Sequence, residues 1–518
     1  MILPMVLSLT KLFDDPIKWT FIVSNLLSSY IINTIILVLC VSFFSVCIGY
    51  YASYMMTQTS FKGKSILSIL LYLPLAMPAY ILSYVYVDTL SFSGRIYRFF
   101  LSMGISLELN LFSMSMAVFV LTLSLFPYVY IPLSTYFRTR NQHHIDVAKM
   151  LRVPLIKRIT NIYVPLMLPT LLSSTMLIIF ETVNDYGVTK YLNIKTLSVG
   201  IFDAWFQLND LTSALYLAFG YVVIVLIVYS LYKVLSKDTK KDINKFTEKR
   251  YYKKLTIKQT WLYITPLWII VFLSLGLPLI ELVLNILQSF ELSDLRPWFE
   301  ALIWTISIAL LTSLLIMLLS VIIANAKRFS NSKIIHNIVA IPILGYALPG
   351  VMMALMYYIF YINLDRFFRP LYQLLSTQHV VLSVSIWMLI TALVFRFFAI
   401  GYKQVSNQYT SIGTYHALTS YTLKKGKWTT LLRIDIPMIK KSLIAGFILS
   451  FIDIIKELPL TLLLRPFNVQ TLSTLIFTYM NNEDINKASF ASLTLILLSF
   501  ICILIVTSLG RKPHDSRD

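Results

Sequence analysis

The chain has 518 residues, 57% of them hydrophobic and only 13% charged, with a formal net charge of +20. Its mean hydropathy is +0.74. A soluble chain of this size carries roughly a quarter charged residues, which excludes a large soluble helical protein. Long apolar runs recur along the whole length, each near the ~20 residues that a helix needs to cross a bilayer. The reading is an all-α polytopic membrane protein.

Taken in chain order, the opening "MILPMVLSLTKLF" has no basic n-region and does not read as a cleavable signal. Spans are expected near 29–55, 65–90, 112–137, 165–183, 211–232, 261–287, 301–326, 334–360, 378–402, 436–455 and 490–508. Cys40 and Cys47 fall in one expected helix, about 10 Å apart and beyond disulfide reach. With Cys502 in the last span, all three cysteines read as small apolar residues.

These spans leave alternating loops, and 31 of the 44 Lys and Arg fall in one set of them, which the positive-inside rule places in the cytoplasm. The basicity is therefore topological. Nucleic acid is a poor partner, because the charge is scattered over short loops with no shared aromatic-basic patch; membrane lipid is the expected environment.

An internal repeat is visible. "FETVNDYGVTKYLNIKTLSVGIF" (180–202) runs parallel to "FIDIIKELPLTLLLRPFNVQTLSTLIF" (451–477). Glu181 matches Asp453, Asp185 matches Glu457, Thr189 matches Thr461, and Thr196-Leu197-Ser198 matches Thr471-Leu472-Ser473. Upstream, "YLPLAMPAYILSY" (72–84) echoes "AIPILGYALPGVMMAL" (340–355), with Pro74, Pro78, Pro342 and Pro349 readable as hinges or as packing kinks. The repeat keeps its orientation, so each copy has an even number of spans, most simply six. The expected division is a first lobe over 1–232 (core 29–232), a basic cytoplasmic linker over 233–260, and a second lobe over 261–510 (core 301–508). "LPMVLSL" (3–9) aligns with "LPLIELV" (277–283), so the first span is expected to be truncated, giving about 11–12 spans in total.

Between two apolar runs lies "HHIDVAKMLRVPLIKRITNIYVPLMLP" (143–169). Val147, Met150 and Leu151 share one face of a short helix that Pro154 ends; a second helix climbs through Ile159 and Ile162 to Pro165. A plain linker needs no such pattern, whereas a rigid helix lying across the cytoplasmic face does.

At these residues the chain resembles permeases of binding-protein-dependent ABC importers. Their cytoplasmic signature is Glu-Ala-Ala-x-x-x-Gly, followed by a proline before the next span. Asp146-Val147-Ala148 take the Glu-Ala-Ala place, Leu151 precedes the glycine place, Arg152 occupies it, and Pro165 is the proline. In the second half, counting back from Pro437 puts Leu418-Thr419-Ser420 at the motif, Leu423 before the glycine place and Lys424 at it, with Trp428 where a tryptophan is common. "KELPLTLLLRPFNVQTLSTLIF" (456–477), "FETVNDYGV" (180–188) and "VFRFFAIGY" (394–402) are similar to fused, two-lobe permeases of the ferric-iron type.

The resemblance implies two tandem type I ABC importer transmembrane lobes in the bacterial cell membrane, forming the path for ferric iron delivered by an extracytoplasmic solute-binding protein. It implies two copies of a separate ABC ATPase, with ATP and Mg on those partners and no cofactor on this chain. The residues around 146–153 and 418–428 would be the ATPase-coupling elements. The chain has no P-loop: Gly63-Lys64-Ser65 mimics the end of one, but Gln58 stands at the required earlier glycine.

Charge inside a membrane is costly and often functional. Arg396 is the deepest candidate, with Asp453 a plausible partner; Asp185 and Glu457 stand at matched span ends, as guides for a cation, contacts for the binding protein or solvated helix-end acids. Lys456 beside Glu457 weakens the cation reading. The histidines show no metal-ligand spacing, and nothing pairs a nucleophile with a base, so an enzyme is not expected. Thiamine, polyamine or phosphonate permeases share the fold, and a secondary transporter could also carry two six-span repeats.

Overall fold

A computed structural model describes residues 2–106, 108–139, 154, 157, 164–236, 253–254, 256–289, 295–329, 344–374 and 382–510. Apart from a two-residue parallel pairing of Thr59–Ser60 with Lys253–Lys254, the regular structure there is helical. In hydrocarbon every backbone polar group needs an internal partner, and a helix supplies it within one segment. Eight described helices are long and apolar enough to span a membrane, nine if one bent pair counts as a span. The expected count of 11–12 includes a span over 334–360 whose first part lies outside the described residues. Ile436–Lys456 carries Lys440, Lys441, Asp453 and Lys456, and Gly350–Leu374 carries Asp365, Arg366 and Arg369, so neither is as apolar as a plain span.

The expected span over 65–90 is a correction. Lys64–Ala76 and Ala79–Ser102 meet at 95°, breaking at Met77-Pro78. Pro78 holds an extended conformation (φ −60°, ψ 136°) at the N-cap of the helix beginning at Ala79. The second half repeats the design, with a 3-10 turn over Leu344–Ala347 before the helix that begins at Gly350.

The chain divides into two compact units that are not its chain-order halves. One, the N-unit, comprises Lys18–Leu208 and Leu217–Leu284; the other, the C-unit, comprises Met1–Ile17, Asn209–Tyr216 and Asn285–Asp518. Each half thus gives its opening segment to the other half's unit. Within the N-unit, Tyr51 Oη donates to Tyr263 O at 2.7 Å, Tyr86 Oη donates to Leu273 O at 2.7 Å, and Arg95 is ion-paired with Glu281. Within the C-unit, Ile2–Thr10 packs on Gly350–Leu374, and Tyr216 Oη donates to Leu12 O at 2.8 Å. The aligned segments 3–9 and 277–283 therefore play matched roles.

At the centre of each unit is one long helix. Leu27–Gln58 packs against Met114–Leu125, Pro127–Thr139 and Val164–Asn184; Leu295–Arg328 packs against Ile386–Ile412 and Ile436–Lys456. Their buried faces are rich in small residues, Ser42, Ser45, Gly49 and Ala52 in one and Ala309, Thr312, Ser313 and Ala324 in the other. Small side chains let membrane helices approach closely, where dispersion rather than water exclusion drives packing. Opposite faces carry exposed Leu39 and Phe43, or Leu314 and Leu318, as lipid contact requires.

Candidate functional site

Each unit contains a helix that stops inside the bundle, turns, and restarts. In the N-unit, Val164–Asn184 ends before Asp185, Gly187–Tyr191 forms a short helix, and Leu197–Phe206 follows. In the C-unit the series is Ile436–Lys456, Pro459–Leu464 and Leu472–Asn481. A broken helix frees backbone N–H groups, which must find acceptors.

The matched acids supply them. Asp185 Oδ1 accepts from the N–H of Val188 at 3.0 Å and of Thr189 at 3.2 Å. Glu457 accepts from the N–H of Leu460 at 3.0 Å, the N–H of Thr461 at 3.0 Å, and Thr461 Oγ1 at 3.0 Å. Both acids cap the helix that follows them, satisfying orphan donors and meeting the positive end of its dipole. Neither is a solvated helix-end acid: Glu457 is buried and Asp185 half-buried.

The matched Thr-Leu-Ser triplets close the turn. Ser198 Oγ donates to Asp185 O at 2.7 Å, and Ser473 Oγ donates to Glu457 O at 2.8 Å. Two residues that sequence reasoning missed complete the pattern. The N–H of Leu197 donates to Thr34 Oγ1 at 3.0 Å, and that of Leu472 to Thr305 Oγ1 at 2.8 Å. Both threonines lie on the long central helices, so each turn is pinned to its unit's core. A cavity of about 10 Å³ touches Thr305, Thr461, Thr471 and Ser473. The knot is packed, and it leaves no room for a solute.

Arg396 has a different partner from the one expected. Its Nη1 lies 3.7 Å from Glu457 Oε1, while Asp453 pairs with Lys456 at 3.2 Å. Lys456 thus forms an ion pair with Asp453. A three-residue helical spacing puts Asp453 beside Lys456 on one face, whereas Glu457 lies past the helix end, where the chain turns inward. Room for Arg396 comes from Gly350: a Cβ there would sit 2.2 Å from Arg396 Nη1. The first half lacks this ion pair. Aligning the N-caps Ser113 and Ser385 puts Ser124 at the place of Arg396, and Ala79 begins the helix matching Gly350's. Among the described residues, no three His, Cys, Asp or Glu side chains cluster to hold a metal.

The second expected lever is also on view. Tyr415–Thr422 forms a short helix, Lys427–Thr430 a second, and the latter runs through a π turn at Leu431–Asp435 into Ile436–Lys456. Ala417 and Ser420 face inward, with Ser420 Oγ 2.9 Å from Thr430 Oγ1. Thr419 is exposed, as are Tyr415 (80%), Leu418 (49%), Leu423 (69%) and Trp428 (72%). Lys424, at the glycine place of the signature, has φ +57°. That left-handed conformation costs a side chain little only when it is glycine. The first lever's Asp146, Val147, Ala148, Leu151 and Arg152 lie outside the described residues.

Fold and site together define the class: a multi-pass, all-α membrane protein whose halves carry the same broken-helix knot. Residues 45–241 match the family model described as "Binding-protein-dependent transport system inner membrane component". The chain is similar to "Fe(3+)-transport system permease protein FbpB 2" of Haemophilus influenzae, 24% identical over 93% of this chain and 90% of that protein. It is also 36% identical, over 17% of its length and 31% of the relative's, to "Probable transport system permease protein NifC" of Clostridium pasteurianum. The chain is a multi-pass inner-membrane protein, and over residues 45–241 it is similar to the permease component of binding-protein-dependent transport systems.

Proposed function

We propose that this permease forms the path for ferric iron, driven by ATP hydrolysed with Mg on two copies of a separate ATPase subunit. An extracytoplasmic solute-binding protein delivers the iron. The full-length similarity to a permease named for Fe(3+) transport carries the choice of cargo. In this reading the chain consists of two fused permease lobes, 1–232 and 261–510, joined by the basic linker 233–260.

Coupling to the ATPase falls to the cytoplasmic segments around 146–152 and 415–428. The exposed Tyr415, Leu418, Leu423 and Trp428 support this for the second, since an apolar cluster on a short cytoplasmic helix fits a groove on a partner. ATP shifts the permease only if the ATPase contacts differ between its open and closed states. The knots at Asp185 and Glu457 serve as gate elements rather than iron ligands, a reading supported by both carboxylate oxygens of Glu457 and by Asp185 Oδ1 accepting N–H groups of the helix that follows. Iron is passed on, not held.

Deleting the gene and measuring uptake of radiolabelled ferric iron tests the cargo. Lost uptake, restored by the intact gene, supports the reading. Normal iron uptake with a new growth requirement for thiamine, polyamine or phosphonate moves the cargo to that class.

A further inference from the structure

The Leu295–Arg328 helix holds a contact at each end. Toward one end, Thr305 Oγ1 accepts the N–H of Leu472 in the broken-helix knot. At the other, Arg328 is buried, with only 5% of its side chain exposed, and reaches two separate segments. Its Nη1 donates to Asp435 Oδ1 at 2.9 Å, and its Nη2 donates to the carbonyl of Gly413. Gly413 (φ +69°) ends Ile386–Ile412 immediately before the 415–428 segment, and Asp435, seven residues past it, opens Ile436–Lys456. Tyr409 lies beneath the guanidinium, its ring centroid 5.0 Å from the central carbon. Asp435 is itself only 3% exposed.

We infer that Arg328 is a positioning residue for transport: it ties both roots of the 415–428 segment to one long helix, which carries their movement to the Thr305–Leu472 contact. The inference rests on the coupling role proposed above. Two physical points support it. Removing either root from Arg328 breaks a buried, charge-assisted bond, so the easy motion moves both roots and the helix together. The helix then spans about 35 Å from Arg328 to Thr305 at 1.5 Å per residue, a length over which helical hydrogen bonding keeps it stiff. A planar guanidinium can hold two acceptors in fixed directions, which an ammonium cannot. In the matched register from Thr34 and Thr305, the place of Arg328 in the first half is taken by Thr57, whose hydroxyl bonds Ser53 O and Tyr54 O of its own helix among the described residues.

The test uses the full chain, purified with its ATPase and reconstituted in lipid. Cys40, Cys47 and Cys502 are replaced by serine, and a spin label is placed at Phe467→Cys, an exposed position between Pro459–Leu464 and Leu472–Asn481. ATP with vanadate should change the label's spectrum in this background. Arg328→Met with Asp435→Leu removes both charges, so neither is left buried and unpaired. This double variant should lower the trapped population by roughly 2- to 30-fold, with ATP hydrolysis retained. Arg328→Lys, the milder variant, should lower it less and in the same direction.

A photo-crosslinker at Trp428 is run in parallel. An unchanged spectral response with the ATPase still captured overturns the clamp alone. Response and hydrolysis falling in step make Arg328 merely structural and also overturn it. Failure to capture the ATPase in the parent overturns the coupling reading, and the clamp with it.

Discussion

Arg396 and Glu457 form a buried ion pair in which the carboxylate has a second task, capping the helix that starts at Pro459. Removing Arg396 as Arg396→Met leaves that carboxylate without its counter-charge and should cost about 3–5 kcal/mol. Glu457→Gln, which keeps one acceptor oxygen for the cap, should cost less. Monodisperse protein remaining after graded heating in detergent, read by size-exclusion chromatography, orders the two variants. Equal losses would mean that the cap, rather than the charge, dominates.

Gly350 offers a sharper check on the same pair. Its missing side chain leaves the space that Arg396 Nη1 occupies. Gly350→Ala forces the guanidinium aside and should destabilise by about 1–3 kcal/mol, as overpacking does. Ala79→Gly, at the matched helix start in the first half, has no guanidinium to relieve. It should cost only the backbone entropy of glycine, about 0.5–1 kcal/mol. A thermal shift series on the two variants distinguishes them.

The pins from the long helices are matched and separately removable. Thr34→Val and Thr305→Val keep the side-chain shape but leave the N–H of Leu197 or Leu472 without its acceptor. Each should cost about 1–3 kcal/mol, and Thr→Ser at either position should recover most of it. Because the two pins lie in separate units, the double Val variant should lose close to the sum of the single losses, measured by the same heating series.

Lys424 pays a conformational cost that glycine would remove. Lys424→Gly should raise stability by up to about 1 kcal/mol, and Lys424→Ala should not, since alanine meets the same left-handed penalty. Trp428→Ala and Leu423→Ala leave little packing behind and should shift stability by less than about 0.5 kcal/mol. If these side chains are anchors for the ATPase, each weakens its binding by roughly 30-fold, the mark of a 2 kcal/mol hot spot. Titrating purified ATPase against labelled permease measures both effects.

Much of this was legible in the chain itself, because it depends on local or repeating properties. Apolar run length marks the membrane, the bias of Lys and Arg sorts the loops, and the recurrence of Thr196-Leu197-Ser198 at Thr471-Leu472-Ser473 marks two copies of one design. The matching of Asp185 with Glu457 was visible as well. Its purpose was not, since a capping acid and a solvated one look alike until the chain is seen to restart beyond them.

What tertiary structure alone decided was pairing. Linear proximity put Lys456 beside Glu457, and Asp453 was the plausible bundle partner for Arg396, yet the chain turns after Lys456, so that Arg396 meets Glu457 and Lys456 meets Asp453. Thr34, Thr305, Gly350 and Arg328 carry no motif; each matters through a group remote in sequence that packing brings within reach. The same holds for the opening segments, which settle in the unit of the opposite half. Hydrophobicity says that a segment must be buried in lipid or protein, and contact geometry says against which neighbour.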